Sequence, residues 1–90
     1  MGVRIGLVVV DAATDEKLRH RRGLTGAEVR AAVEWPAVPV RAAWNDVPEH
    51  GRRLIVYAEW GAKVLKVVLM PLDEVDGTWL LKTAVVSSER

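Results

Sequence analysis

The chain has 90 residues, half of them hydrophobic, with a formal net charge of +1. That is enough chain for one domain with one modest core, residues 1–90, and the apolar content excludes a disordered segment. With no cysteine, disulfides, thiolate metal sites and cysteine nucleophiles are excluded, and a reducing compartment is compatible.

Val3 to Val10 is an apolar run rich in β-branched residues and closed by Asp11. It predicts a strand buried on both faces or at a sheet centre. The run is far too short to cross a membrane, and no small-residue cleavage site follows it, so neither a membrane anchor nor a signal peptide is expected and the compartment is read as cytoplasmic. Thr14 is expected to cap a first helix, with Asp15 and Glu16 in its first turn. The helix ends on Lys17-Leu18-Arg19-His20-Arg21-Arg22, where five of six residues are Lys, Arg or His, and stops at Gly23. Acid first and base last complements the helix dipole.

A second helix starts at once. Thr25 stands three residues before Glu28, the spacing at which each side chain bonds the other's free backbone N–H, and Leu24 and Val29 sit at the spacing of a hydrophobic staple. This helix runs from about Thr25 to Glu34 and ends before Trp35-Pro36, because a residue preceding proline is pushed out of the α region. The remainder predicts strands: Val38 to Asn45, Arg53 to Trp60, Lys63 to Met70 and Thr78 to Val86. They are joined by the loop Val47–Gly51, by Gly61-Ala62, and by a turn from Pro71 to Gly77 that holds the hairpin pair Asp76-Gly77. Ser87 to Arg90 is expected to fray. The order β-α-α-β-β-β-β gives an α+β class, two N-terminal helices packed on one face of a mostly antiparallel sheet of four to five strands. The expected core is Val29, Val33, Leu54, Val56, Trp60, Trp79 and Leu81.

The order and several motifs resemble the BrnT-like ribonuclease toxins of the RelE/ParE superfamily. The resemblance rests on Asp11 closing the first strand, on the basic end Lys17–Arg22 running into Gly23-Leu24-Thr25 with Glu28, and on the hairpin Arg53–Tyr57 and Lys63–Met70. The last strand, Trp79-Leu80-Leu81-Lys82-Thr83-Ala84, completes it. Two positions depart from the family pattern: Arg22 stands where a His precedes the Gly, and Val85 where an Arg follows the Thr/Ser-Ala pair. The resemblance implies a toxin that cleaves RNA without metal and inhibits translation, held in check by a small antitoxin protein.

Such cleavage needs a base for the ribose 2′-hydroxyl, cations for the crowded phosphate and an acid for the leaving oxygen. His20 and Arg22 are the catalytic candidates. Lys17, Arg19 and Arg21 are candidate RNA contacts, joined by Arg41, Arg53, Lys66 and Lys82 if their sheet face lies near the helix end. The plainer alternative is a solvated last turn whose cations serve the helix dipole and solubility. Asp46, Glu49 and His50 form a polar loop, since the spacing matches no familiar metal-ligand set, and no cofactor motif is present. Tyr57 fits a packing role. Trp44, beside Arg41 and Asn45, is the one tryptophan considered for stacking or partner contact. Two further functions stay open: a non-catalytic interaction module of the same fold that binds a protein or nucleic acid, and a homodimer built on an exposed strand edge.

Overall fold

The computed structural model describes residues 4–34, 41–49 and 51–89. Strand β1 (Leu7–Val9) is followed by helices α1 (Ala12–Arg22) and α2 (Gly26–Val33), then by β2 (Arg41–Val47), β3 (Gly51–Trp60), β4 (Lys63–Asp73) and β5 (Thr78–Glu89). The strands form one five-stranded sheet in the order β1-β5-β4-β3-β2. β1 pairs parallel with β5, and the other three pairings are antiparallel.

The capping box sets the start of α2 as expected. The Glu28 N–H donates to Thr25 Oγ1 and the Thr25 N–H to Glu28 Oε1, both at 3.1 Å. Leu24 and Val29 are both buried. Gly23, at φ 65°, ends α1 in the left-handed conformation that glycine adopts without steric cost. The start of α1 differs from expectation. Asp11 is the cap, not Thr14: its backbone is extended and its carboxylate accepts from the Thr14 N–H at 2.7 Å. Thr14 already lies inside the helix.

β1 is an edge strand, not a central or doubly buried one. Its pairing with β5 covers three residues, of which only Val8 faces the core; Leu7 and Val9 remain exposed. The Val8 N–H, left free by β5, donates to Glu34 Oε2 at 2.7 Å, which partly covers this edge. Strand β4 runs through Pro71 to Asp73. Proline has no N–H to give the ladder, and the register slips between Pro71 and Asp73. The turn beyond uses Asp73 Oδ1 as acceptor for the N–H groups of Val75 and Asp76, and Gly77 has φ 73°. β5 continues to Glu89, which pairs with Lys63, because β4 is long enough to template it. The segment 35–40, with Trp35-Pro36 and the expected start of β2, lies outside the described residues, as do His50 and Arg90.

Alternation on β5 breaks at two places: near its end, where Ser87 is extra between the pairs Leu65–Val86 and Val64–Ser88, and in its middle. Val68 pairs with Thr83 and Leu69 with Leu81, so Lys82 is an extra residue, a bulge. Trp79, Leu81 and Ala84 are therefore the buried set, and Thr83 is exposed. The core lies between the helices and one sheet face: Leu18, Val29 and Val33 from the helices meet Leu54, Val56, Leu65, Val67, Leu69, Trp79 and Leu81 from the strands. Of the expected core only Trp60 is half-buried. Its indole N–H donates to Glu28 Oε2 at 3.3 Å. Trp44 packs against Trp79 at 5.7 Å between ring centroids, and the Arg52 guanidinium lies 3.8 Å over its ring. Its ring is thus engaged within its own domain.

Candidate nucleic-acid interface

Helix periodicity divides the basic run of α1 into two sets. Residues three and four apart share a face, so Thr14, Lys17, Leu18, Arg21 and Arg22 fall on one side. Leu18 is buried and anchors that side against β5. Together with Lys82 and Thr83 these residues line a crevice of about 70 Å³. β1 stops pairing with β5 at Leu80, and α1 packs beside the strand. The bulge then brings Lys82 and Thr83 to the crevice. Four cations, Lys17, Arg21, Arg22 and Lys82, converge there from two elements far apart in the chain. Among the described residues none of the four has a carboxylate within ion-pair distance.

The outward set behaves differently. The Arg19 Nε donates to Asp15 Oδ2 at 3.0 Å, and His20 Nε2 lies 3.9 Å from Glu16 Oε1 with both side chains about three-quarters exposed (76% and 74%). The Arg19–Asp15 pair supports the helix at i,i+4 spacing, while the solvated His20–Glu16 contact adds little. Asp15 also accepts from the Gly26 N–H at 2.7 Å, which ties α1 to the start of α2. That bond, with the Arg19 charge beside it, holds the Asp15 carboxyl below the usual aspartate range. Space here is tight: a Cβ on Gly26 would lie 2.9 Å from Val10 Cγ1, so glycine lets the two helices approach.

Asp11, which caps α1, lies close enough to the crevice to feel the charges of Lys82 and Lys17. Its carboxyl is held low first by the Thr14 backbone N–H and hydroxyl, and then by the charges of Lys82 and Lys17. The carboxylate orients the helix start and tempers the local positive field without an ion pair. Arg22 thus joins the crevice, as do Lys17, Arg21 and Lys82, whereas His20 and Arg19 face away from it. Arg41, Arg53 and Lys66 lie elsewhere, on the sheet face opposite the helices, because they alternate with the core-facing residues of β2, β3 and β4; Arg53 is moreover buried, at 9% exposure, which removes it as a surface RNA contact. Sequence reasoning missed Thr14 and Thr83 as lining residues. The spacing of Thr14 from Leu18 carried a signal for the first; the bulge that exposes Thr83 has none in the local sequence.

A crevice of this size is well below the roughly 300–1,000 Å³ of sites that enclose a whole small ligand. It suits a single anionic group on a longer chain, such as a phosphate, which Arg can grip with two donors at once. A second, shallow cleft of about 420 Å³ is lined by Leu24, Glu28, Trp60 and Lys63 with Gly23, Gly61 and Ala62. Among the described residues no cluster of His, Asp and Glu is placed to hold a metal ion, and no helix is long and apolar enough to cross a membrane. No family model, curated protein or solved structure matches this chain.

Proposed function

We propose that this domain binds RNA, seating backbone phosphates in the crevice between α1 and β5, as the RNA-facing surface of a toxin-like component paired with a small antitoxin in the bacterial cytoplasm. The observation that carries the reading is the convergence of Lys17, Arg21, Arg22 and Lys82 without ion-pair partners among the described residues. Cations left unpaired on a chain of net charge +1 form a local field that draws an anionic polymer. Each phosphate they neutralise releases counterions, so binding weakens as salt rises.

The test is fluorescence anisotropy of the purified chain with a labelled mixed-sequence RNA across a salt series. Arg21→Ala with Arg22→Ala should weaken binding. It should also flatten the log–log salt slope by about 0.7 for each phosphate of a single strand that is no longer neutralised. Arg19→Ala, facing the other way, should change little. Absence of binding at low salt, or equal weakening from Arg19→Ala and from the Arg21 and Arg22 pair, would overturn the reading.

RNA cleavage is the second reading: the sequence offers His20 as a proton-transfer group, but its side chain points away from the crevice, so imidazole and phosphate contacts would act on different sides of α1. Incubation with RNA in EDTA tests it. Cleavage by the wild-type chain that falls about 100-fold or more in His20→Ala, the size of a lost general acid or base, would make it a ribonuclease. Intact RNA would leave the non-catalytic binding module, and cleavage untouched by His20→Ala would remove His20 from the reaction.

A further inference from the structure

The crevice between α1 and β5 gathers more positive charge than one link of a nucleic-acid backbone calls for. A backbone phosphate is a diester with a single negative charge. Lys17, Arg21, Arg22 and Lys82 bring their cations to one hollow whose lining, among the described residues, contains no carboxylate. Setting the nearby Asp11 carboxylate, which feels Lys82 and Lys17, against them still leaves a surplus over a single diester. The cations also converge instead of following a line, whereas a surface that tracks a single strand spreads its cations along a groove. Service to the α1 dipole accounts for cations in the last turn of that helix. It does not account for Lys82, which the β5 bulge brings to the same hollow.

Size narrows the ligand further. One water needs roughly 10–15 Å³ of such space, so a crevice of about 70 Å³ holds a handful of water-sized atoms. That is the phosphorus and four oxygens of a phosphate, without its sugar or base. A diester carries a sugar on both sides, while a terminal phosphate is tethered on one side only and can enter a small hollow end-on. We propose that the crevice selects a phosphomonoester, the terminal phosphate of an RNA strand, over the diesters within the strand. Such a group carries a charge of about −1.5 to −2 at neutral pH and three strong acceptor oxygens. The Arg21 and Arg22 guanidinium forks can each grip two oxygens, with Lys17 and Lys82 as point charges. The proposal rests on the RNA reading and names the part of the RNA seated in the crevice.

The test is competition by fluorescence anisotropy with the purified full chain at one fixed salt concentration. The competitors are short RNA strands of one sequence with hydroxyls at both ends, with a 5′-phosphate, or with a 3′-phosphate. A further hydroxyl-ended strand, one nucleotide longer, adds a backbone phosphate in place of the terminal one. At least one end-phosphorylated strand should bind about ten-fold or more tightly than both hydroxyl-ended strands, since the added bonds are charge-assisted, and the strand that does so identifies the terminus. Lys82→Gln should bring that ratio towards one. The Lys82 side chain is exposed, so the core is untouched, and the wild-type comparison stands without the variant. Equal binding of phosphorylated and hydroxyl-ended strands overturns the proposal and leaves the RNA reading standing. So does a longer hydroxyl-ended strand that matches the phosphorylated ones, because added charge alone would then suffice. A ratio unchanged by Lys82→Gln overturns the assignment to this crevice. Inorganic phosphate that competes as well as the phosphorylated strand overturns the choice of an RNA end over free phosphate. No binding by any strand overturns both the proposal and the RNA reading.

Discussion

The two faces of the sheet are built from the same aliphatic residue types and have different fates. Leu54, Val56, Leu65, Val67 and Leu69 face the helices and are fully buried. Ile55, Val68 and Met70, one residue along in the same strands, stay half-exposed. Strand alternation assigns the side, and the helices cover only one. Hydrophobicity alone therefore does not identify the core of this domain. What does is the place where α1 and α2 land, and that follows from the short connection Gly23–Thr25 and from the tie between Asp15 and Gly26.

The sharpest way to break the comparison is a truncation on each face. Leu54→Ala removes a fully buried side chain and should cost about 2–5 kcal/mol. Val68→Ala, on the half-exposed face, should cost about 1 kcal/mol or less, since little burial is removed. Urea denaturation of both variants decides it; equal destabilisation would mean that the second face is covered in the free chain.

A smaller effect probes how the helices are held to the first face. Thr25→Ala should destabilise by about 1 kcal/mol, as a helix N–H loses its acceptor. An unchanged denaturation midpoint would show that the α2 start is held by other contacts.

The mildest effect is electrostatic. Asp11 and Asp15 both have carboxyls held below their ordinary value of 3.8. Folding therefore favours their charged forms. The stabilisation is fully present above the unfolded pKa and is lost as pH falls through the lower folded values. Asp15→Asn should flatten the acid side of the stability profile, measured as the denaturation midpoint from neutral pH down through the aspartate range. A profile identical to wild type would detach Asp15 from the anchoring of α2.

Much of this was legible in the residues. Thr25 with Glu28, Gly23 and the pair Asp76-Gly77 are local signals whose physics acts within four residues, and they mark the element ends that the structure shows. The features that escaped are set by distant chain. β1 reads as a central strand from its own apolar run, but its neighbours are decided by β5. The Lys82 bulge depends on the register against β4. The site was half legible for the same reason. The residue types of the basic run pointed to a candidate anion site, yet only the packing of Leu18 into the rest of the core separates Lys17, Arg21 and Arg22 from Arg19 and His20. Arg41, Arg53 and Lys66 could be placed away from the crevice only once the buried face of each strand was known.

The parallel pairing of β1 with β5 has a consequence for how the protein is made. The first strand meets the last: the Gly6 N–H donates to the Gly77 carbonyl at 2.8 Å, and the Trp79 indole N–H to the Arg4 carbonyl across 75 positions of sequence. On a ribosome, β1 emerges first and has no strand to join. At about 5–20 residues per second it waits roughly 4–15 s for its partner to be synthesised. Strands β2, β3 and β4 can form their hairpins in that interval, since their contacts are local. Pairing of β1 with β5 therefore cannot precede synthesis of residues 78–80, however early β1 itself leaves the ribosome.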